Sequence, residues 1–294
     1  MSTRRRLTLA LMLSSGVAVL EFWGGAISHS LALTTDAVHV CMDVFAFGIA
    51  LLAALGAQRR ANRRKTFGYG RIEVLGALAN SAILLGATAI LAYQAVLRFR
   101  APVEPHGLTM TIVAAIGLAV NVSTGLILSG QHHVNHNLRA ALTHVLGDSL
   151  GASAVIVGGV LIAVTGAAWI DPLLSLFVAA IIVIGVARVL RDASEVLLEA
   201  TPPGIDTAEV EARIRAIGGV LAVHDLHVWT IGSGSHALSA HLLLDEGQLS
   251  FGGRILELLR RELAARYGIG HVTIQLETEH CDPGGIIICR SEEA

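Results

Sequence analysis

The chain has 294 residues, 53% hydrophobic and only 15% charged, with a mean hydropathy of +0.65. Soluble domains carry about 25% charged residues, so most of this chain is expected in lipid. A formal net charge of −2 argues against a nucleic-acid partner, and three scattered cysteines (Cys41, Cys281, Cys289) make no secreted disulfide framework, so reduced thiols in or near the cytosol are the simpler reading.

Arg4, Arg5 and Arg6 followed by an apolar run resemble a secretory leader. The run continues without a clean small-residue cleavage site and reads as a first membrane helix. Spans need about 20 apolar residues, and six stretches qualify: 8–29, 33–56, 73–97, 109–129, 140–165 and 171–190. An Arg-rich segment at 59–65 separates the second from the third. Pro102 and Pro105 mark the next turn, and 132–137 is a polar break before the fifth helix. Trp169-Ile170-Asp171-Pro172 reads as a helix start, with Asp171 at the N-cap and Pro172 at the first helical position. The basic clusters at 4–6 and 59–65, with Arg139 and Arg191, fall on one side of the membrane, and only Arg98 and Arg100 on the other. The positive-inside rule then puts both termini in the cytoplasm.

After Pro202-Pro203-Gly204 the composition changes. Segment 206–217 has helical spacing, 220–231 and 236–244 alternate as strands, 249–267 is an amphipathic helix and 272–278 a third strand. The order α-β-β-α-β predicts a small two-layer α+β domain of ferredoxin-like or metallochaperone-like type. The predicted architecture is a six-helix transmembrane domain over 1–200 and a cytoplasmic domain over 201–294, with strand edges suited to pairing with a second copy or a partner.

His39/Asp43 and His144/Asp148 are matching couplets four residues apart in otherwise apolar stretches. That spacing puts an imidazole and a carboxylate on one helix face. Ionisable groups in a bilayer are functional candidates, and two couplets supply the four N/O ligands that a tetrahedral zinc ion takes. The two aspartates offset a divalent charge. Imidazole plus carboxylate suits Zn²⁺, with Co²⁺, Fe²⁺ and Cd²⁺ as competitors, and disfavours Cu⁺, Mg²⁺ and Ca²⁺. Cys41 is expected to be a packing residue. Asp36, one turn before His39, reads either as a neighbouring acid or proton relay, or as a helix-start residue near the outer interface.

Longer motifs surround these residues. Ser30-Leu31-Ala32-Leu33-Thr34-Thr35-Asp36-Ala37-Val38-His39-Val40-Cys41-Met42-Asp43 resembles the second-helix signature of the cation diffusion facilitators. Phe67-Gly68-Tyr69-Gly70-Arg71-Ile72-Glu73-Val74-Leu75-Gly76 is similar to that family's third-helix entry, and 135–148 to its fifth-helix entry. Val223-His224-Asp225-Leu226-His227-Val228-Trp229 and Val272-Thr273-Ile274-Gln275-Leu276-Glu277 resemble its cytoplasmic domain. The resemblance covers nearly the whole chain and points to the bacterial zinc/cadmium exporter branch.

That resemblance implies a homodimer in the inner (plasma) membrane that exports divalent metal, Zn²⁺ foremost, from the cytoplasm in exchange for protons. It maps the transport site onto His39, Asp43, His144 and Asp148. It also implies a metal site in the cytoplasmic domain from His224, His241, His271 and Glu277, against which stands the reading of these as exposed strand residues. Gln275 and Glu277 stand where some members carry His and Asp, which puts a binuclear site in doubt. Tail residues His280, Cys281 and Cys289 match no recognised zinc motif. The loop between helices 2 and 3 offers Lys65, Phe67 and Tyr69 rather than added histidines, so a loop site is expected to be absent. His132, His133 and His136 either gather cytoplasmic metal or form a solvated loop. Arg71 and Glu199 resemble an inter-helix charge pair at the family's hinge. An enzymatic role is not expected, since the chain has no H-E-x-x-H, and a sensor would need an output module that is not evident.

Overall fold

The computed structural model describes residues 3–57, 61–129, 136–232 and 234–278. Six long helices come first: α1 (Thr3–Ser28), α2 (Leu31–Ala57), α3 (Ile72–Arg100), α4 (Gly107–Ser129), α5 (His136–Thr165) and α6 (Ile170–Leu197). Over Ile72–Arg100, Gly107–Leu126, Gly147–Thr165 and Ile170–Leu197 they are long and apolar enough to cross a membrane, and Met12–Ser28 is a shorter apolar helix. α6 runs past residue 190, where the apolar window ends, because its polar last turns remain helical with an Arg191–Glu195 pair at 3.1 Å.

The chain divides into two compact units. One takes the described residues through Leu51 together with Gly76–Leu190, the other Leu52–Leu75 and the described residues from Arg191 on. The core of the first includes Leu33 of α2, Met110 and Val113 of α4, Val155 and Ile162 of α5, and Val178 and Ile182 of α6.

A buried carboxylate fixes the start of α2. Asp171, 1% exposed, accepts from Ser30 Oγ at 2.6 Å, from the backbone N–H of Leu31 at 2.8 Å and of Ala32 at 3.2 Å, and from Arg98 Nη1 at 3.0 Å. Ser30 Oγ in turn accepts from the Leu33 N–H at 3.1 Å. Three of the orphan donors at the N-terminus of α2 are thereby satisfied, with negative charge at the positive end of the helix dipole. Asp171 therefore lies inside α6 and caps α2 rather than its own helix, which corrects the local reading of Trp169–Pro172. Arg98 also donates to the carbonyl of His29 at 2.7 Å, which stands at a positive φ of 55° between α1 and α2. Thr35 Oγ1 and Ser175 Oγ, 2.8 Å apart, tie α2 to α6 one turn further on.

The second unit holds an α+β fold: α7 (Thr207–Arg215), β1 (Val220–Gly232), β2 (Ser235–Leu244), a 3₁₀ turn (Glu246–Phe251), α8 (Gly252–Tyr267) and β3 (Ile269–Glu277). The sheet order is β1-β2-β3, with β1 antiparallel and β3 parallel to the central β2. Leu238, Leu242 and Leu244 of β2 pack with Val210 and Ile214 of α7 and Ile255, Leu259 and Leu263 of α8. Each such side chain contributes about 1.5–3 kcal/mol on burial. Within this unit the segment before α3 docks on the rim of the sheet. A Cβ at Gly70 would lie 3.0 Å from Gly232 Cα, and one at Gly232 would lie 2.7 Å from Gly70 Cα, so two backbones touch there.

Asp171→Ala is expected to destabilise the solubilised protein by about 3 kcal/mol, because it strands the Arg98 charge and two helix donors. Ser30→Ala is expected to cost about 1 kcal/mol. Thermal unfolding in detergent measures both. Gly70→Ala or Gly232→Ala is expected to raise amide hydrogen exchange over 61–71. Gly253→Ala, where a Cβ meets nothing within 4 Å, should not.

Candidate metal sites

α2 carries His39 and Asp43 one turn apart, and α5 brings Asp148 to them. His39 Nε2 is 3.7 Å from Asp43 Oδ2 and 3.4 Å from Asp148 Oδ1. One ligand atom from each lies within 4.8 Å of the other two. The three side chains are only 17%, 29% and 14% exposed. His144 lies on α5 by its backbone, and its side chain lies outside the described residues. The capped start of α2 sits about 12 Å of helix from His39, at 1.5 Å rise per residue, so the Asp171 network sets the depth of the cluster. Asp36 is 3% exposed, and a Cβ at Gly151 of α5 would lie 3.8 Å from its Oδ1, so Asp36 faces α5. Cys41 is half-buried and packs beside Val17, Ala18 and Val40.

A second cluster forms on the sheet. Side chains alternate across a strand, and His224 of β1 is the register partner of His241 on β2. Glu277 of β3 pairs with Leu243, two residues along, so all three side chains share one face. The face opposite, through Leu238, Leu242 and Leu244, is the one the helices cover. His224 Nε2 lies 3.1 Å from Glu277 Oε2, and His241 Nδ1 2.8 Å from Glu277 Oε1. The side chains are 26%, 17% and 13% exposed for His224, His241 and Glu277. Yet His224 Nε2, His241 Nδ1 and Glu277 Oε2 are covered and make no well-directed hydrogen bond among the described residues. Close approach without hydrogen-bond geometry is what ligand atoms show when they face a common point instead of one another. Ligand atoms of the three lie within 4.8 Å of each other, a donor set that fits a divalent ion of the zinc type.

Asp225, at a positive φ of 51° where the β1–β2 register shifts, holds His227 Nε2 at 3.0 Å and approaches His241 Nε2 at 3.9 Å. It stands on the side of the His241 ring away from Glu277, a placement that strand alternation did not reveal. His271 stands apart. It pairs with Ala237, four residues from His241 along β2 or about 13 Å, and its exposed ring meets Phe67 edge-on at 5.3 Å between centroids. Gln275 bonds Glu277 Oε1 at 2.9 Å and steadies that carboxylate. His236, at the start of β2, is held below the usual histidine range by burial. His132, His133, His280, Cys281 and Cys289 lie outside the described residues, as does the side chain of His136.

Arg71 and Glu199 form a direct ion pair, Nη2 to Oε1, at 2.8 Å, with both side chains well exposed. Exposure limits its strength to about 0–1 kcal/mol. In the 2–3 loop, Lys65 lies over the Tyr69 ring at 4.6 Å. Two carboxylate roles escaped the sequence reading: the cap that Asp171 gives to Leu31 and Ala32, 140 and 139 residues away, and the burial of Glu21, fully covered in α1. For Glu21 the signal was present, an acid inside a membrane-length apolar run.

Residues 7–198 match the family described as the cation efflux transmembrane domain, and 202–279 match the cytoplasmic domain of cation efflux proteins. Three curated relatives are each 36% identical. The cadmium, cobalt and zinc/H(+)-K(+) antiporter of Bacillus subtilis aligns over 98% of this chain and 94% of its own. The metal cation efflux system protein CzcD of Cupriavidus metallidurans aligns over 95% and 88%, and zinc transporter ZitB of Escherichia coli over 94% and 88%. A solved metal-bound C-terminal domain of the Cupriavidus CzcD transporter is 41% identical and covers 25% of this chain and 99% of that one, with a TM-score of 0.24.

Breaking the Arg71–Glu199 pair by Arg71→Glu is expected to change stability by less than about 1 kcal/mol. Glu277→Ala, in contrast, is expected to remove one bound Zn²⁺ per chain from the purified full-length protein, counted by elemental analysis after dialysis.

Proposed function

The chain belongs to the cation efflux family, and on that premise we propose that it is a proton-coupled exporter of divalent metal, zinc foremost. The observation that carries this reading is the convergence of His39, Asp43 and Asp148 from two helices of a membrane-spanning bundle. His144, the fourth member of the paired motif, completes a tetrahedral N₂O₂ set. Two carboxylates offset the two charges of the ion, so the loaded site is close to neutral and tolerates the membrane interior. Borderline ligands favour Zn²⁺, Cd²⁺, Co²⁺ and Fe²⁺ over harder ions. The relatives named for cadmium, cobalt and zinc support three of these four ions.

Metal binding needs neutral imidazole and ionised carboxylate, so cation and protons compete for one set of atoms. Entry of metal from the cytoplasm releases protons, and protonation from outside releases metal. Alternating access lets the site meet one side at a time. Asp36, buried beside the cluster, relays protons or orients a ligand.

The reading assigns transport to 1–200 and a cytoplasmic regulatory unit to 201–294, in a homodimer of the inner membrane with both termini cytoplasmic. His224, His241 and Glu277 hold a resident ion there, and Asp225 steadies His241. Bound metal ties three strands together across the sheet and reports cytoplasmic metal to the helices, with the Arg71–Glu199 pair at the hinge. No catalytic chemistry is assigned.

Zinc flux into proteoliposomes under an imposed pH gradient tests the proposal. The wild type is expected to accumulate Zn²⁺, and His39→Ala and Asp148→Ala are expected to abolish uptake. Flux surviving both substitutions would refute the transport site, and Cd²⁺, Co²⁺, Fe²⁺ and Mn²⁺ in the same assay rank selectivity.

A further inference from the structure

Glu21 of α1 has no place in either metal cluster. Its side chain is 0% exposed, and neither carboxyl oxygen has a hydrogen-bond partner among the described residues. The room it occupies is made for it. A Cβ at Gly117 of α4 would meet Oε1 directly and would sit 3.6 Å from Val17 Cγ1, so a residue without a side chain opens the space for the carboxyl group. α4 contributes no ionisable residue. The groups whose charges reach Glu21 are Asp36 and His39 of α2 and Asp148 of α5. One turn before it, Val17 and Ala18 pack with Val40 of α2, the chain neighbour of His39, so Glu21 stands at the level of the proposed transport site without being one of the three residues grouped there.

This placement makes its charge depend on the site. An anion that is fully buried with no hydrogen-bond donor among the described residues and two other carboxylates nearby is disfavoured, whereas a neutral acid loses only a hydrogen bond. A doubly charged cation at His39, Asp43 and Asp148 reverses the sign of the local field. At low dielectric that field acts over several ångströms without contact.

We propose that Glu21 is a proton carrier of the exchange, separate from the metal ligands. It keeps its proton while the cluster is without metal. When a divalent cation enters from the cytoplasm, the carboxyl O–H breaks and the proton passes to water on that side, leaving a carboxylate balanced by the cation. When the cation leaves outward, a proton from outside reforms the O–H. No oxidant, reductant or further reactant is involved. The inference rests on the export reading above, and its test separates the two.

Zn²⁺ titration of the purified full-length protein in two buffers of different ionisation enthalpy counts the protons released per ion. Infrared difference spectra follow the protonated-carboxyl band. The wild type is expected to lose such a band on binding Zn²⁺. Glu21→Gln is expected to bind Zn²⁺ with one proton fewer released and no such band loss. In proteoliposomes it should pass Zn²⁺ down a Zn²⁺ gradient but show a weaker pH-driven component than the wild type. An unchanged proton count, or the same band loss in Glu21→Gln, overturns the proposal. If Glu21→Gln does not fold, Glu21→Asp decides: the band must persist at a shifted frequency, and an unshifted band overturns the assignment. Loss of Zn²⁺ binding in His39→Ala reports on the export reading independently.

Discussion

The structure of the helical unit depends on one buried carboxylate. The N-terminus of α2 lies among apolar helices, where its free N–H groups have no water to bond. Asp171 supplies the acceptor from α6, Ser30 extends it by one donor, and Arg98 of α3 neutralises the charge. Three helices are thereby held to a common origin by groups that each need the others. The distance from that origin to His39 and Asp43 is then a matter of helical rise alone. A ligand on a helix is only as well placed as the end of that helix, and here the end is fixed by side-chain bonds as well as by the packing of Leu31, Ala32 and Leu33.

The same cost of burying polarity arranges the rest of the bundle. Thr35 bonds Ser175 and also returns a bond to the carbonyl of Leu31. His39, Asp43 and Asp148 gather because each is cheaper near another polar group than alone in hydrocarbon. In the α+β unit, His224 and His241 face each other across two strands with ring centroids 5.3 Å apart, and Glu277 closes the group from the third strand. Both clusters take one face of a regular element, one by the period of the helix and the other by the period of the strand.

Much of this was legible in the sequence because those two periods are. The six long helices follow from apolar length, and His39/Asp43 from the i, i+4 rule. The α-β-β-α-β order follows from the change of period after Pro203. What was not legible shows where local rules stop. Asp171 satisfied every local sign of an N-cap, Asp followed by Pro, yet the helix end it caps lies 140 residues away and its counter-charge, Arg98, 73 residues away. Glu21 was hidden because averaging over an apolar run dilutes one acid. His271 shares a face with His241, but separation along the strand, invisible without the register, keeps it at a distance. Asp225 reaches His241 through a bulge, which breaks the alternation on which strand reading relies.

The contact between Gly70 and Gly232 has a different kind of consequence. Where side chains meet, a family can drift by trading one residue for another of matching shape. Where two main chains touch, that freedom is gone at both positions together, since any added carbon pushes the two segments apart. The joint also carries no charge, so ionic strength and acidity leave it alone while they weaken the neighbouring Arg71–Glu199 pair. Two fastenings with opposite sensitivities therefore sit in series on one segment. The electrostatic one can be loosened by the surroundings, and the steric one can be altered only by inheritance.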